Sequence, residues 1–245
     1  QDRDMRGLAF QQIREEIPGE RATKRLAAVL PELAPEAQAG LLEALGDRRD
    51  AAARPAVLEM LTSKQDLVRA AALRALGNLG TEAEVTLLAD QAAQGSPPEQ
   101  EAARQSLVRL RGDSIHGVMA AALDKGTPAV QVEILAALGG RNAKEVVPKI
   151  FDRAKSQEPS VRLAACAALR LLADEKDTAA MAALLNSAGA DEERRKCELA
   201  LLALCSRGRE ACVAALTAAF TDAPRESRLV LLRAGHEVVA VAGPH

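Results

Sequence analysis

The chain has 245 residues, 48% hydrophobic and 27% charged, with a formal net charge of −2. That charge excludes a global attraction to nucleic acid or anionic membranes, and no apolar run approaches the ~18 residues that a bilayer-spanning helix needs. Only 1% of residues are aromatic, with no Trp and no Tyr, which argues against a thick globular centre and for thin layers of closely packed Ala- and Leu-rich helices.

In chain order, the predicted elements are pairs of short amphipathic helices, over 4–33, 35–62, 65–94, 97–125, 128–156, 159–188, 191–220 and an incomplete 222–245. The first pair is the least regular: Ala9, Phe10 and Ile13 follow the pattern, but Arg14 stands where the others carry leucine. The pair over 65–94 defines the rest. Arg69, Ala71, Ala72, Ala75, Leu76 and Leu79 recur at helical spacing, Gly77 and Gly80 are expected to end that helix, and Thr81 to cap the next, which carries Leu87 and Leu88. Neither helix is long enough to stand alone in water, so neighbouring hairpins must bury the apolar faces.

Two columns fix the period. Leu45, Leu76, Leu107, Leu138, Leu169, Leu202 and Leu232 form one, at steps of 31 until the last two. Leu26, Val57, Leu88, Met119, Ile150, Met181 and Val213 form the other, on the partner helices. Near the start of each first helix stand Gln38, Arg69, Gln100, Gln131, Arg162, Arg195 and Arg225. Three residues earlier come Pro35, Asp66, Pro97, Pro128, Pro159, Glu192 and Asp222, proline preorganising the first turn and carboxylates complementing the helix dipole. Ser96 and Thr127 read as N-caps.

The last hairpin is cut short after Ala234. The chain, which opens on Gln1 without a methionine or signal peptide, is therefore expected to be one solenoid domain over 1–245 and a segment continuing past its C-terminus. Leu229, Leu231, Leu232, Val238, Val239 and Val241 would then leave an uncovered apolar layer, and end-to-end self-association through 222–242 is an expectation.

The ~31-residue hairpin, with VRAAALRALGNLG over 68–80 and VRLAACAALRLL over 161–172, resembles the short HEAT-like repeat of bacterial proteins, the class that includes the phycobilin-lyase type. The resemblance covers nearly the whole chain and implies an all-α, right-handed α-solenoid of about eight helical hairpins. It implies a fold far more than an activity, since such repeats serve many unrelated roles. The texture is also similar to long multidomain bacterial HEAT proteins with exported modules, which favours an extracytoplasmic setting over a cytoplasmic one.

Catalytic chemistry finds little support. HEAT-like di-iron hydroxylases need several His-Glu pairs on facing helices, whereas His236-Glu237 is a single pair, with His116 and His245 elsewhere. Asp113, Ser114 and His116 lack the strand–turn setting of a nucleophile elbow, and capping explains Asp113 and Ser114 better. Gly139-Gly140 reads as a turn. Phe10, Phe151 and Phe220, one to a distant layer, make no stacking platform for nucleic acid. The run 191–196, acids first and bases second, suits a solvated helix start. Cys166, Cys197, Cys205 and Cys212 form no CxxC pair and read as small buried hydrophobes, with a disulfide between adjacent layers as the alternative.

One functional signal remains. Residues two positions after the second-helix column point away from the core at ~200° and read Ala28, Glu59, Asp90, Ala121, Asp152, Ala183 and Ala215, with Asp124 one turn beyond Ala121. Glu59, Asp90, Asp124 and Asp152 are therefore the candidate partner-binding residues, for a basic or polar peptide; the alternative is a solvated polar face, and Lys149, Arg153 and Lys155 blunt the field. The sequence reads as a non-catalytic protein–protein interaction scaffold, with no cofactor, metal, nucleic acid or membrane. The alternative is part of, or partner to, a HEAT-like lyase or hydrolase, or a scaffold presenting a catalytic module.

Overall fold

Proline or a carboxylate opens each first helix described between residues 35 and 205. Pro35, Pro97, Pro128 and Pro159 take the first helical position, where a missing N–H costs no hydrogen bond, and Asp66 and Asp191 place negative charge at the positive end of the dipole. The computed structural model describes residues 19–206, 209–221, 223–225 and 227–233. Ala9, Phe10, Ile13, Arg14, Asp222, His236, Glu237, Val238, Val239, Val241 and His245 lie outside them.

The helices are α1 Glu20–Ala28, α2 Pro35–Arg48, α3 Arg54–Glu59, α4 Asp66–Leu79, α5 Val85–Gln94, α6 Pro97–Arg109, α7 Ile115–Ala122, α8 Pro128–Gly140, α9 Val147–Arg153, α10 Pro159–Leu172, α11 Thr178–Ser187, α12 Asp191–Cys205 and α13 Arg209–Thr221. Residues 227–233 are also helical. From α2 onward they alternate as first and second helices of hairpins. Short 3₁₀ turns over Ala51–Ala53, Glu82–Glu84, Lys144–Val146 and Glu175–Asp177 lead into α3, α5, α9 and α11. The chain is an all-α solenoid, with no strand among the described residues. None of the described helices is long and apolar enough to cross a membrane.

The chain divides at Lys125/Gly126 into two compact units. In the first, α4 lies between α2 and α6. Leu45, Leu76 and Leu107 are fully buried there, as are Val57, Leu88 and Met119 on the second helices. In the second unit α10 lies between α8 and α12, over a core that includes Leu138, Ile150, Leu169 and Met181. Leu26, at the head of the second column, is half-buried, and the side chain of Val213 lies outside the described set.

The leucine column needs a correction in its last two places. Leu202 is half-buried and Leu232 is 56% exposed, whereas Leu201 and Leu231 are buried. The register shifts by one at the seventh layer, and Arg194, not Arg195, is the counterpart of Arg69 and Arg162. All three arginines donate to the carbonyl six residues upstream: Arg69 to Ser63 at 2.8 Å, Arg162 to Ser156 at 2.9 Å and Arg194 to Ala188 at 3.3 Å.

Two glycines expected in turns are inside helices. Gly77 lies within α4 and Gly139 within α8. A Cβ on Gly77 would stand 2.8 Å from Ser106 Oγ and 3.0 Å from Ser106 Cα on α6, and one on Gly46, 31 residues earlier, would stand 2.9 Å from Ala75 Cα. Glycine at these positions lets consecutive first helices approach closely. Gly80 does terminate α4. Left-handed backbone falls instead on Arg49 (φ 55°) and Asn142 (φ 56°), in the turns that follow α2 and α8.

Thr81 caps as expected, accepting from Ala83 N at 3.3 Å, and Thr127 accepts from Val130 N at 3.4 Å. Ser114 differs: it precedes α7 without a side-chain cap and its hydroxyl donates to Glu82 Oε1 of the preceding layer at 3.1 Å.

Candidate partner-binding face

Glu59 ends α3, Asp90 lies in the middle of α5, Asp124 follows α7 and Asp152 sits near the end of α9; all four are exposed. Glu59, Asp90 and Asp152 each come two residues after a fully buried side chain, Val57, Leu88 and Ile150. A 200° rotation from a core position points them to solvent. Asp124 reaches the surface by another route, since α7 ends at Ala122 and the Asp124 N–H closes a turn on the Ala121 carbonyl at 3.2 Å.

The units divide these residues. Unit one holds Glu59 and Asp90 on successive second helices and Asp124 in the turn after the third, with Lys125 beside it. In unit two Asp152 shares α9 with Lys149 and Arg153, and the equivalent positions on α11 and α13 are Ala183 and Ala215. Alanines of α11 and α13 there line a shallow groove with Ala179, Asn186 and Ala218, and Asn186 Nδ2 donates to the Ala219 carbonyl at 3.3 Å. A charged surface thus belongs to the first unit and a small-residue surface to the second.

A second set of acids serves the interior. The Glu84 carboxylate, buried, accepts from Arg54 through Oε1 and from the Thr81 N–H through Oε2 at 2.7 Å. Glu99 repeats the arrangement fifteen residues on: Oε1 takes the Arg69 Nε–H and Oε2 takes the Ser96 N–H at 2.7 Å. Each glutamate therefore caps its own helix start with one oxygen and ties the preceding layer with the other. Glu193, also buried, accepts from Arg162 Nε at 3.0 Å. The Arg69 guanidinium is the main reason that the Glu99 carboxyl falls from its ordinary 4.5 to about 2, with the Ser96 contacts adding to it against the cost of burial.

These pairs are structural, and the sequence reading missed them. Their signal was present as opposite charges one repeat apart: Arg54 and Glu84, Arg69 and Glu99, Arg162 and Glu193. The capping pattern accounted for the glutamates alone and hid their second use.

Among the described residues, no group of three or more His, Cys, Asp or Glu side chains is arranged to hold a metal ion. His116 stands on α7 and Asp113 is exposed in the turn before it. All four cysteines are free and buried, as the hydrophobic reading expects. Cys166 Sγ and Cys197 Sγ lie 3.3 Å apart, in contact and unbonded.

A family model described as HEAT repeats matches residues 23–108 and 116–202. Among solved structures, an engineered protein aligns at 18% identity with a TM-score of 0.44, over 76% of this chain and 97% of its own. Human deoxyhypusine hydroxylase in complex with glycerol aligns at 21% identity and a TM-score of 0.40, over 94% of this chain and 89% of its own. A designed armadillo repeat protein aligns at 16% identity and a TM-score of 0.29, over 94% of this chain and 98% of its own. No curated protein matches the sequence.

Proposed function

Because the chain belongs to the HEAT-repeat family, we propose that it acts as a non-catalytic interaction scaffold whose first unit receives a basic segment of a protein partner on its second-helix face. The observation that carries this reading is the exposure of Glu59 and Asp90 on successive second helices and of Asp124 just after the next, while the layer-bridging acids Glu84 and Glu99 are buried in ion pairs. The three acids face solvent, where a partner's lysines and arginines can meet them, and such charges set association rate and partner choice more than raw affinity.

The 31-residue period supports the short bacterial type of repeat. Exposed Leu229 and Leu232, at 64% and 56%, support self-association through the last helical stretch as part of the same proposal.

The test is an array of Lys/Arg-containing, neutral and Asp/Glu-containing peptides, probed with the wild-type chain and with a variant carrying Glu59→Lys, Asp90→Lys and Asp124→Lys. The expected result is selection of basic peptides by the wild type and their loss in the variant. Asp152→Lys alone, in the other unit, leaves that selection in place. Identical peptide profiles for wild type and triple variant would remove the acids from the function.

A further inference from the structure

Cys166 on α10 and Cys197 on α12 occupy equivalent core positions of consecutive layers. Their side chains are fully buried and their sulfurs are 3.3 Å apart. Arg162 and Glu193 pair across the same two helices, one turn before each cysteine. A disulfide bond is about 2.05 Å long, so closure needs the two sulfurs to approach by little more than 1 Å, and α10 and α12 are already in contact.

We propose that Cys166 and Cys197 are a redox pair which hydrogen peroxide closes into a disulfide, stapling two consecutive layers of the second unit. Cys166 is the attacking sulfur. Its thiolate accepts a hydrogen bond from the Cys197 thiol and feels the positive charge of Arg162 one turn earlier on the same helix, which hold its pKa below the ordinary thiol value against burial and Glu193; the Cys166 contact, burial and Glu193 push Cys197 up.

In the first step the Cys166 thiolate attacks one peroxide oxygen. The S–O bond forms, the O–O bond breaks, and the departing oxygen takes up the proton that Cys166 released on ionising and leaves as water. In the second step the Cys197 sulfur attacks Cys166. The S–S bond forms, the S–O bond breaks, and the hydroxyl departs as water with the Cys197 proton. Two thiols are oxidised and one peroxide is reduced to two waters. Because both sulfurs are buried, the peroxide enters through transient separation of α10 from α12, and the reaction is slower than that of an exposed thiol.

The experiment treats the folded wild-type chain with hydrogen peroxide, blocks remaining thiols after denaturation, and cleaves with a glutamate-specific protease. That cleavage places Cys197, Cys205 and Cys212 on three separate peptides. The expected result is a Cys166–Cys197 cross-linked peptide, a parent mass lower by two hydrogens, and a thermal midpoint raised by about 5 °C or more that a reducing agent reverses. Cys166→Ala should abolish the link and leave Cys197 open to alkylation. Recovery of both cysteines alkylated, their conversion to sulfinic acids, or a link between other cysteines would overturn the proposal.

Discussion

Arg69 and Glu99, thirty residues apart, are joined across consecutive layers by a hydrogen-bonded ion pair whose carboxylate is only 5% exposed. Arg69 also holds Ser63 O at 2.8 Å and Asp66 Oδ1 at 2.7 Å, so one guanidinium fastens the preceding loop, its own helix start and the next layer. Glu99→Gln keeps the shape and removes the charge, and should cost about 1.5–3 kcal/mol in denaturant unfolding. Because the folded carboxyl is depressed from 4.5 to about 2, its stabilisation is complete above pH 4.5 and is lost as pH falls through about 2. The stability difference between wild type and Glu99→Gln should shrink over that window; a constant difference would separate the pKa from the pair.

Gly77 and Gly117 both lie within helices, yet should respond to alanine with opposite signs. A Cβ on Gly77 meets Ser106 Oγ at 2.8 Å and Ser106 Cα at 3.0 Å, whereas one on Gly117 meets nothing within 4 Å. Gly77→Ala forces α4 from α6 and should destabilise by about 1–3 kcal/mol. Gly117→Ala should stabilise by about 0.5–1 kcal/mol through restriction of the unfolded chain. Thermal unfolding of the two variants decides it, and a shared sign would mean that helix propensity outweighs the approach of the helices.

The corrected register of the seventh layer predicts unequal losses at neighbouring leucines. Leu201→Ala removes a fully buried side chain and should cost about 2–5 kcal/mol. Leu202→Ala, at a half-buried position, should cost less than half of that. Equal losses in chemical denaturation would restore the original column. Leu138→Ala, in the leucine column of the second unit, should fall in the same range as Leu201→Ala.

The hairpin boundaries over 35–188 and five of the seven leucine positions are legible in the sequence because one residue type recurs at 31 with little else at that phase. The slip at the seventh layer arises where Leu199, Leu201, Leu202 and Leu204 crowd one helix and offer two in-phase choices. The burial of Leu201 and Glu193 and the Arg194 bond to Ala188 decide between them. Gly77 misleads because its constraint is a neighbouring helix, which local turn chemistry does not encode. For the candidate face, exposure of Glu59, Asp90 and Asp152 follows from helical phase alone. The contrast with Glu84 and Glu99 does not, because an acid that caps and an acid that bridges look alike until the layers are stacked.

Recognition of positive charge by the first unit's exposed acids is the property to measure most directly. A fluorescent basic peptide selected from the array should be titrated by anisotropy into the wild type and into the variant with Glu59→Lys, Asp90→Lys and Asp124→Lys, at low and high salt. The account predicts roughly tenfold or greater weakening in the variant at low salt, on the order of 1.4 kcal/mol, with the gap narrowing as salt rises. Equal affinities for wild type and variant at both salt concentrations would contradict it.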